Sequence, residues 1–180
     1  MSEMITKTKI VIRMNGRKIE PWDPFCESEP ETESFDESQF NCPGDSEKGL
    51  VPVYVTGYIL PHKSKFSSDA AHARAGGIKK WLRSQGYYFY RSDRIIQHGG
   101  WAGRGGMDEH DKLARIAIEF DPRADDAFEV DIAKGKVRIP LAISQSVNEY
   151  TAPVSSTAEK VYRKHESRPG GGSGTGGGSG

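Results

Sequence analysis

Alternation of apolar and polar side chains is clearest in LVPVYVTGYILP (50–61). Val51, Val53 and Val55 share one side of an extended chain there, and Tyr54 takes the other. YYFYRSDRIIQH (87–98) reads as two strands joined by a two-residue turn at Ser92-Asp93. In its first strand Tyr87 and Phe89 fall on one face, and Tyr88 and Tyr90 on the other. LARIAIEF (113–120) is a further strand, DPRADD a turn, and FEVDIAKGKVRIP (128–140) a last extended segment. Near the start, TKIVIRMNG (8–16) sets Ile10 and Ile12 among polar neighbours and ends in Asn-Gly, a strand followed by a tight turn. RKIEPWDPF (17–25) follows, and its two prolines exclude a helix and predict an extended, packed connector.

The period becomes helical in two places. In SSDAAHARAGGIKKWLRSQG (67–86), Ser67 or Ser68 is placed to cap, Asp69 suits the positive end of the helix dipole, and Gly86 stops the run. Ile78, Trp81 and Leu82 form its apolar stripe, and Gly76-Gly77 offers a break into two pieces. The pattern turns helical again from Leu141, most clearly over 155–168, where Ser155 caps and Ala158, Val161 and Tyr162 line up. The order β, loop, β, α, β-hairpin, β, β, α predicts an α+β fold. It is a two-layer mixed β-sheet with a crossover helix and with C-terminal helices on one face.

Composition divides the 180 residues further. Residues 25–47 hold eight acidic groups and no basic one, and the last eleven residues, GGGSGTGGGSG, carry nothing able to pack. Neither stretch is expected to bury enough apolar surface to offset its conformational entropy. The expected organisation is therefore one domain with four parts. Residues 1–24 supply a first strand and connector, 25–49 an acidic mobile insert, 50–168 the main part, and 169–180 a Gly/Ser linker or tail. Cys26 and Cys42 both fall in the acidic stretch, and no Cys/His spacing suggests a metal. With no signal peptide and no apolar run of membrane-spanning length, a cytoplasmic setting with free thiols and no membrane partner is expected.

Formal net charge is zero, which argues against an evenly basic nucleic-acid-binding protein. The balance is uneven, however. Between His62 and Arg104 nine Lys or Arg stand against only Asp69 and Asp93. Two readings of 62–104 follow. In one it is a single-stranded nucleic-acid-binding module, with Tyr88 and Tyr90 stacking bases and Arg91 and Arg94 holding phosphates. In the other the aromatic run is a buried core strand, the commoner outcome, and the charges belong to a hairpin turn. HGGWAGRGGMDEHD (98–111) mixes histidines and carboxylates with five glycines, too loose a segment to predict a metal site. GRGG within it carries a weak phosphate-cradling signal. KGK (134–136) sets Lys134 and Lys136 about a glycine, either a solvated turn or a loop able to reach a phosphate in another domain.

GYYFYRSDRIIQHGGW followed by LARIAIEFDPRADDAFEVDIAKGKVRIP resembles the second domain of bacterial ATPases related to the microrchidia (MORC) proteins, within the GHKL superfamily. IRMNGRKIEPWDPF is similar to the stretch that follows the ATP-binding domain in that family. The resemblance covers residues 7–25 and 50–165, and its motifs are specific in combination more than singly. It implies a transducer domain that contributes a lysine to the terminal phosphate of ATP, with Lys134 first and Lys136 second for the role. Implied partners are an N-terminal ATP-binding domain of the same polypeptide and a second copy of the full-length protein, with ATP and Mg bound there. The Asn-bearing helix and DxGxG loop of the ATP-binding half are absent from the chain. No residue is therefore assigned as catalytic in isolation, and the chain alone is not expected to hydrolyse ATP.

Overall fold

The structure is a computed structural model that describes residues 11–19, 21–45, 49–103, 105–131 and 133–166. The Gly/Ser segment 169–180, Ile10 of the first strand, and Arg104 lie outside the described residues. Its centre is a six-stranded mixed sheet. β1 (Arg13–Met14) and β2 (Arg17–Lys18) stand apart as a small exposed hairpin, turned at Asn15 and Gly16 with φ of 51° and 78°. The sheet itself holds β3 (Glu33–Ser34), β4 (Ser38–Pro43), β5 (Leu50–Ile59), β6 (Gly86–Arg91), β7 (Arg94–His98) and β8 (Ala114–Phe120). β8 occupies the middle, antiparallel to β5 and parallel to β6. β3 and β4 both pair with the far side of β5, and β7 pairs with β6. The expected hairpin at Ser92-Asp93 is present, with both residues at positive φ.

Alternation sorts these strands into two faces. Val51, Val53, Val55 and Ile59 of β5, Tyr87 and Phe89 of β6, and Ile116, Ile118 and Phe120 of β8 fill the first. A single helix, α3 in chain order (Leu141–Glu166), lies over this face against β4, β5 and β8. It unites what the sequence marked as a helical region from Leu141 and a clearer segment from Ser155. Ile143, Val147, Thr151, Val154 and Ala158 are its buried side chains, at steps of three and four residues. A Cβ at Gly57 would stand 2.6 Å from a Val154 methyl, so glycine is what lets α3 approach β5 so closely. Tyr150 uses the same approach, since its hydroxyl accepts Gly57 N–H at 2.9 Å and donates to Asp36 O at 2.8 Å.

The second face is covered by the predicted extended connector. Phe25 stacks on Tyr58 (centroids 4.4 Å apart) and meets Tyr88 edge-on at 5.3 Å. The Asp23 carboxylate accepts the N–H groups of Phe25 and Glu27, both at 2.8 Å, which bends the chain after the second proline. Between β5 and β6 run α1 (Asp69–Ala75) and α2 (Lys80–Arg83), separated at Gly76-Gly77. Ser68 caps α1 by accepting Ala71 N–H. The α2 region departs from expectation: only Trp81 of the proposed stripe turns inward, while Ile78 is 96% and Leu82 42% exposed.

Two further expectations change. The acidic segment is not an unpacked insert. Residues 38–43 pair with β5 along their whole length, Cys42 and Cys26 are buried free thiols, and Phe35 and Phe40 pack on the core. Its described carboxylates are exposed or half-buried, while every second residue of 38–42 turns toward the core, a division that charge counting misses. The expected final strand over 128–140 is irregular. Phe128 leaves the strand path to stack on Phe120 (centroids 4.0 Å, interplanar angle 4°), and among the described residues of this segment only Asp131 and Lys136 make a ladder bridge. Phe128→Ala is expected to cost about 3–5 kcal/mol of stability in urea denaturation, because it empties a fully buried ring site. A loss below about 1 kcal/mol would remove this ring pair from the core.

Candidate functional site

Lys134 and Lys136 sit on a short loop fastened to the β6–β7 end of the sheet. Asp125 grips Arg91 through two carboxylate oxygens, with Nε–Oδ1 at 2.7 Å and Nη2–Oδ2 at 2.6 Å. Phe128 then anchors the chain from within. Asp131 and Lys136 exchange backbone N–H···O bonds at 3.0 and 3.1 Å, and Gly135 turns the tip with φ 57°. Val137 N–H donates to Gln97 Oε1 at 2.8 Å, which pins the returning strand to β7.

The two lysines differ in environment. Asp131 accepts the Lys134 backbone N–H at 3.0 Å and faces its ammonium at 3.0 Å. Hydrogen bonding from Lys134 draws the Asp131 carboxyl below the ordinary aspartate range. Lys136 is exposed and has no ion-pair partner among the described residues. It opens onto a groove lined also by Gln97, Trp101, Arg138, Ser144 and Asn148.

That groove accounts for the tryptophan among five glycines. Trp101 is buried, meets Tyr87 edge-on at 5.6 Å, and donates Nε1–H to Gln85 Oε1 at 2.9 Å. Gln85 is wholly buried and also accepts Asp108 N–H at 3.1 Å. Gly99 and Gly100 add backbone bonds to Tyr87 O and Gln85 O at 2.9 and 2.7 Å. The glycine-rich segment is therefore stitched to the start of β6 by one indole and one amide. Sequence reasoning had no signal for this, because Gln85 and Trp101 meet only once β6 and β7 have folded.

The residues of the nucleic-acid reading do not form one exposed platform. Tyr88 is fully buried, and its hydroxyl donates to Ser84 O at 2.6 Å. Tyr90 is half-covered beside Phe25, Arg91 is engaged by Asp125, and only Arg94 is exposed. Burial pushes the phenols of Tyr88 and Tyr90 up to about 12, so both remain protonated at neutral pH.

A histidine cluster not anticipated from sequence ties the end of α3 to the segment after β5. His62 and His165 stack with centroids 4.9 Å apart and planes 9° from parallel, and His62 Nε2 lies 3.7 Å from Glu166. His110 meets Tyr162 edge-on, and the Lys112 ammonium stands 4.4 Å over the same ring. Burial chiefly, then His165, draws His62 below its ordinary pKa. Burial likewise lowers His72 and His98, helped by Lys63 and Lys79 respectively. Among the described residues no three His, Cys, Asp or Glu side chains are placed to share a metal ion, and no helix is long and apolar enough to cross a membrane.

No family model, curated protein or solved structure matches this chain.

A histidine with a lowered folded-state pKa favours the fold while neutral. Its stabilising share is therefore complete above the unfolded value of 6.5 and is lost as pH falls through and below it. The denaturation midpoint is expected to fall over that window, and His62→Gln is expected to make the fall shallower. A midpoint that stays flat from neutral pH down through 6.5 would contradict the burial assigned to these rings.

Proposed function

We propose that this chain is a transducer-type domain of a cytoplasmic GHKL-superfamily ATPase related to the MORC proteins. The observation that carries the reading is the loop 131–137, fastened at both ends and presenting two lysines outward. In the full-length protein a lysine from this loop contacts the terminal phosphate of ATP held, with Mg, by the N-terminal ATP-binding domain. Lysine suits the task because it is a mobile point charge that bonds only while the phosphate is in reach. Hydrolysis removes the partner of that charge, and the two domains separate. The parent protein dimerises through its ATP-binding half.

Lys134 keeps first place for the contact, and its bond to Asp131 gives it an exchange of partners. Without a phosphate its ammonium rests on an exposed carboxylate, a weak pair screened by solvent. A doubly charged terminal phosphate outcompetes that rest position readily. Lys136, facing the Trp101 groove without a carboxylate, is held for the second place.

In the full-length protein, Lys134→Ala is expected to slow steady-state ATP turnover by at least about tenfold, consistent with the loss of one charge-assisted bond worth roughly 1.5–3 kcal/mol. The circular dichroism melt of the isolated chain should not change. Loss confined to Lys136→Ala would move the contact two residues along, and wild-type turnover in both variants would reject the reading.

A further inference from the structure

We infer that the surface formed by α2 and the glycine-rich segment after β7 docks an acidic peptide segment that carries a large apolar anchor. The inference starts from the exposure of Ile78, which is 96% accessible. Met107, at 46%, is a second exposed apolar side chain and lines the same open groove as Ile78. A single exposed aliphatic residue is ordinary, but two on one groove form the kind of patch that association covers.

The fold forces this exposure. A Cβ at Gly77 would stand 2.5 Å from the Trp22 ring, so the backbone there lies flat on the indole. Gly77 takes φ 62°, and three residues later Lys80 takes the same value, a left-handed conformation that a side chain with a Cβ adopts only under local constraint. With its inner side closed by Trp22, the turn directs Ile78 outward. α2 itself spans four residues and has no side-chain cap, so its geometry comes from this packing more than from helix propensity.

The rest of the groove is cationic. Lys79, Lys80 and Arg83 line it together with Gly99, and no carboxylate lies among the lining residues. Lys79 donates to His98 O at 2.8 Å, a neutral acceptor that leaves its charge uncompensated. None of the three forms an ion pair among the described residues, although the chain as a whole is neutral. At about 950 Å³ the groove has room for several side chains of a peptide.

Charge complementarity therefore calls for an anionic partner, and the aliphatic side chains decide which kind. Single-stranded nucleic acid recognises bases by stacking on aromatic rings, and no aromatic ring lines this groove. Ile78 and Met107 match an apolar side chain set between carboxylates, with the cations steering the encounter and the aliphatic contact supplying the hold. The flexible thioether of Met107 suits a contact that has to adapt to more than one side-chain shape.

Fluorescence anisotropy on the 180-residue chain tests this. The probes are a labelled Glu-rich peptide with a central Leu-Leu pair, the same peptide with Ser-Ser in its place, and labelled oligothymidylate. The Leu peptide is expected to bind, to weaken as salt is raised, and to bind about tenfold tighter than the Ser peptide, the factor set by burying one large aliphatic side chain. Lys80→Glu/Arg83→Glu and Ile78→Ser are each expected to weaken the Leu peptide by about tenfold, with thermal melts within about 2 °C of the parent, as exposed substitutions allow. Equal binding of the Leu and Ser peptides, unchanged binding in the variants, or no binding of the Leu peptide at low salt would each overturn the inference. Tighter binding of oligothymidylate, lost in the same variants, would replace the peptide with nucleic acid.

Discussion

A single buried cation organises the second face of the sheet. Arg115 of β8 is completely inaccessible and has no carboxylate ion-pair partner among the described residues, yet its guanidinium reaches four separate parts of the chain. Nη1–H bonds Pro24 O of the connector, and Nη2–H bonds Ala75 O, the last carbonyl of α1, at 2.7 Å. Its Cζ lies 5.3 Å from the Trp81 ring centroid and 5.9 Å from that of Tyr88. Removing such a charge from water costs several kcal/mol, and burial accordingly pulls its pKa down from the ordinary arginine value. Two charge-assisted bonds, two aromatic faces and the negative end of a helix offset that cost only when all are in place together. The connector and α1 are thus bound to each other's position through one side chain. Gly77 follows two residues after Ala75, against Trp22, so the carbonyl that Arg115 holds lies just before the turn that exposes Ile78.

This explains which parts of the fold could be read from the sequence. The first face rests largely on period: β5 and β8 place their large aliphatic residues at every second position, and the buried residues of α3 recur at steps of three and four. Those elements are recoverable from local pattern because each buries one continuous face against an apolar neighbour. The second face rests on pairings between distant segments that no single pattern contains. Arg115 inside LARIAIEF looks like the polar position of an exposed strand face, and only Pro24, Ala75 and Trp81, brought from elsewhere, make it a core residue. Ile78 and Leu82 look like a buried stripe for the converse reason, since helical spacing says nothing of the backbone break at Gly77. The acidic segment misleads by composition: Phe35, Phe40 and Cys42 suffice to hold it once alternate residues are separated.

The candidate site divides in the same way. KGK was visible as concentrated charge on a turn, and the aromatic run as a strand with two faces. The inequality of the lysines was not visible, because it depends on Asp131 folding back over the turn. Nor was the role of Trp101, which holds the glycine-rich segment through Gln85 and so shapes the groove that Lys136 faces. Rigid anchoring immediately beside a mobile lysine is a sound arrangement for a contact made and broken repeatedly, since the loop's base is kept in place while the side chain changes partner.

Zero net charge conceals a polarity across the domain, and that polarity bears on how it associates. The carboxylates of residues 27–37 lie beside the β3–β4 edge and the start of α1, where Glu29 accepts from Ser67 and Glu31 faces Lys65 at 4.0 Å. The cations of α2 lie toward the other edge, where Lys79 reaches His98 at the end of β7. Among the described residues no ion pair joins these carboxylates to the α2 cations, and charges separated by more than a Debye length are screened from one another, so the α2 cations remain available to an external partner. A neighbouring domain or peptide therefore meets this one already oriented, and the exposed aliphatic residues at the basic edge decide whether an electrostatic encounter becomes a lasting contact. In a domain whose proposed work is to move relative to its neighbour, that separation of steering from holding has a mechanical sense. On the proposed reading the steering field would persist through the cycle, while the apolar contact and the proposed lysine–phosphate contact are short-ranged and could be released by small displacements.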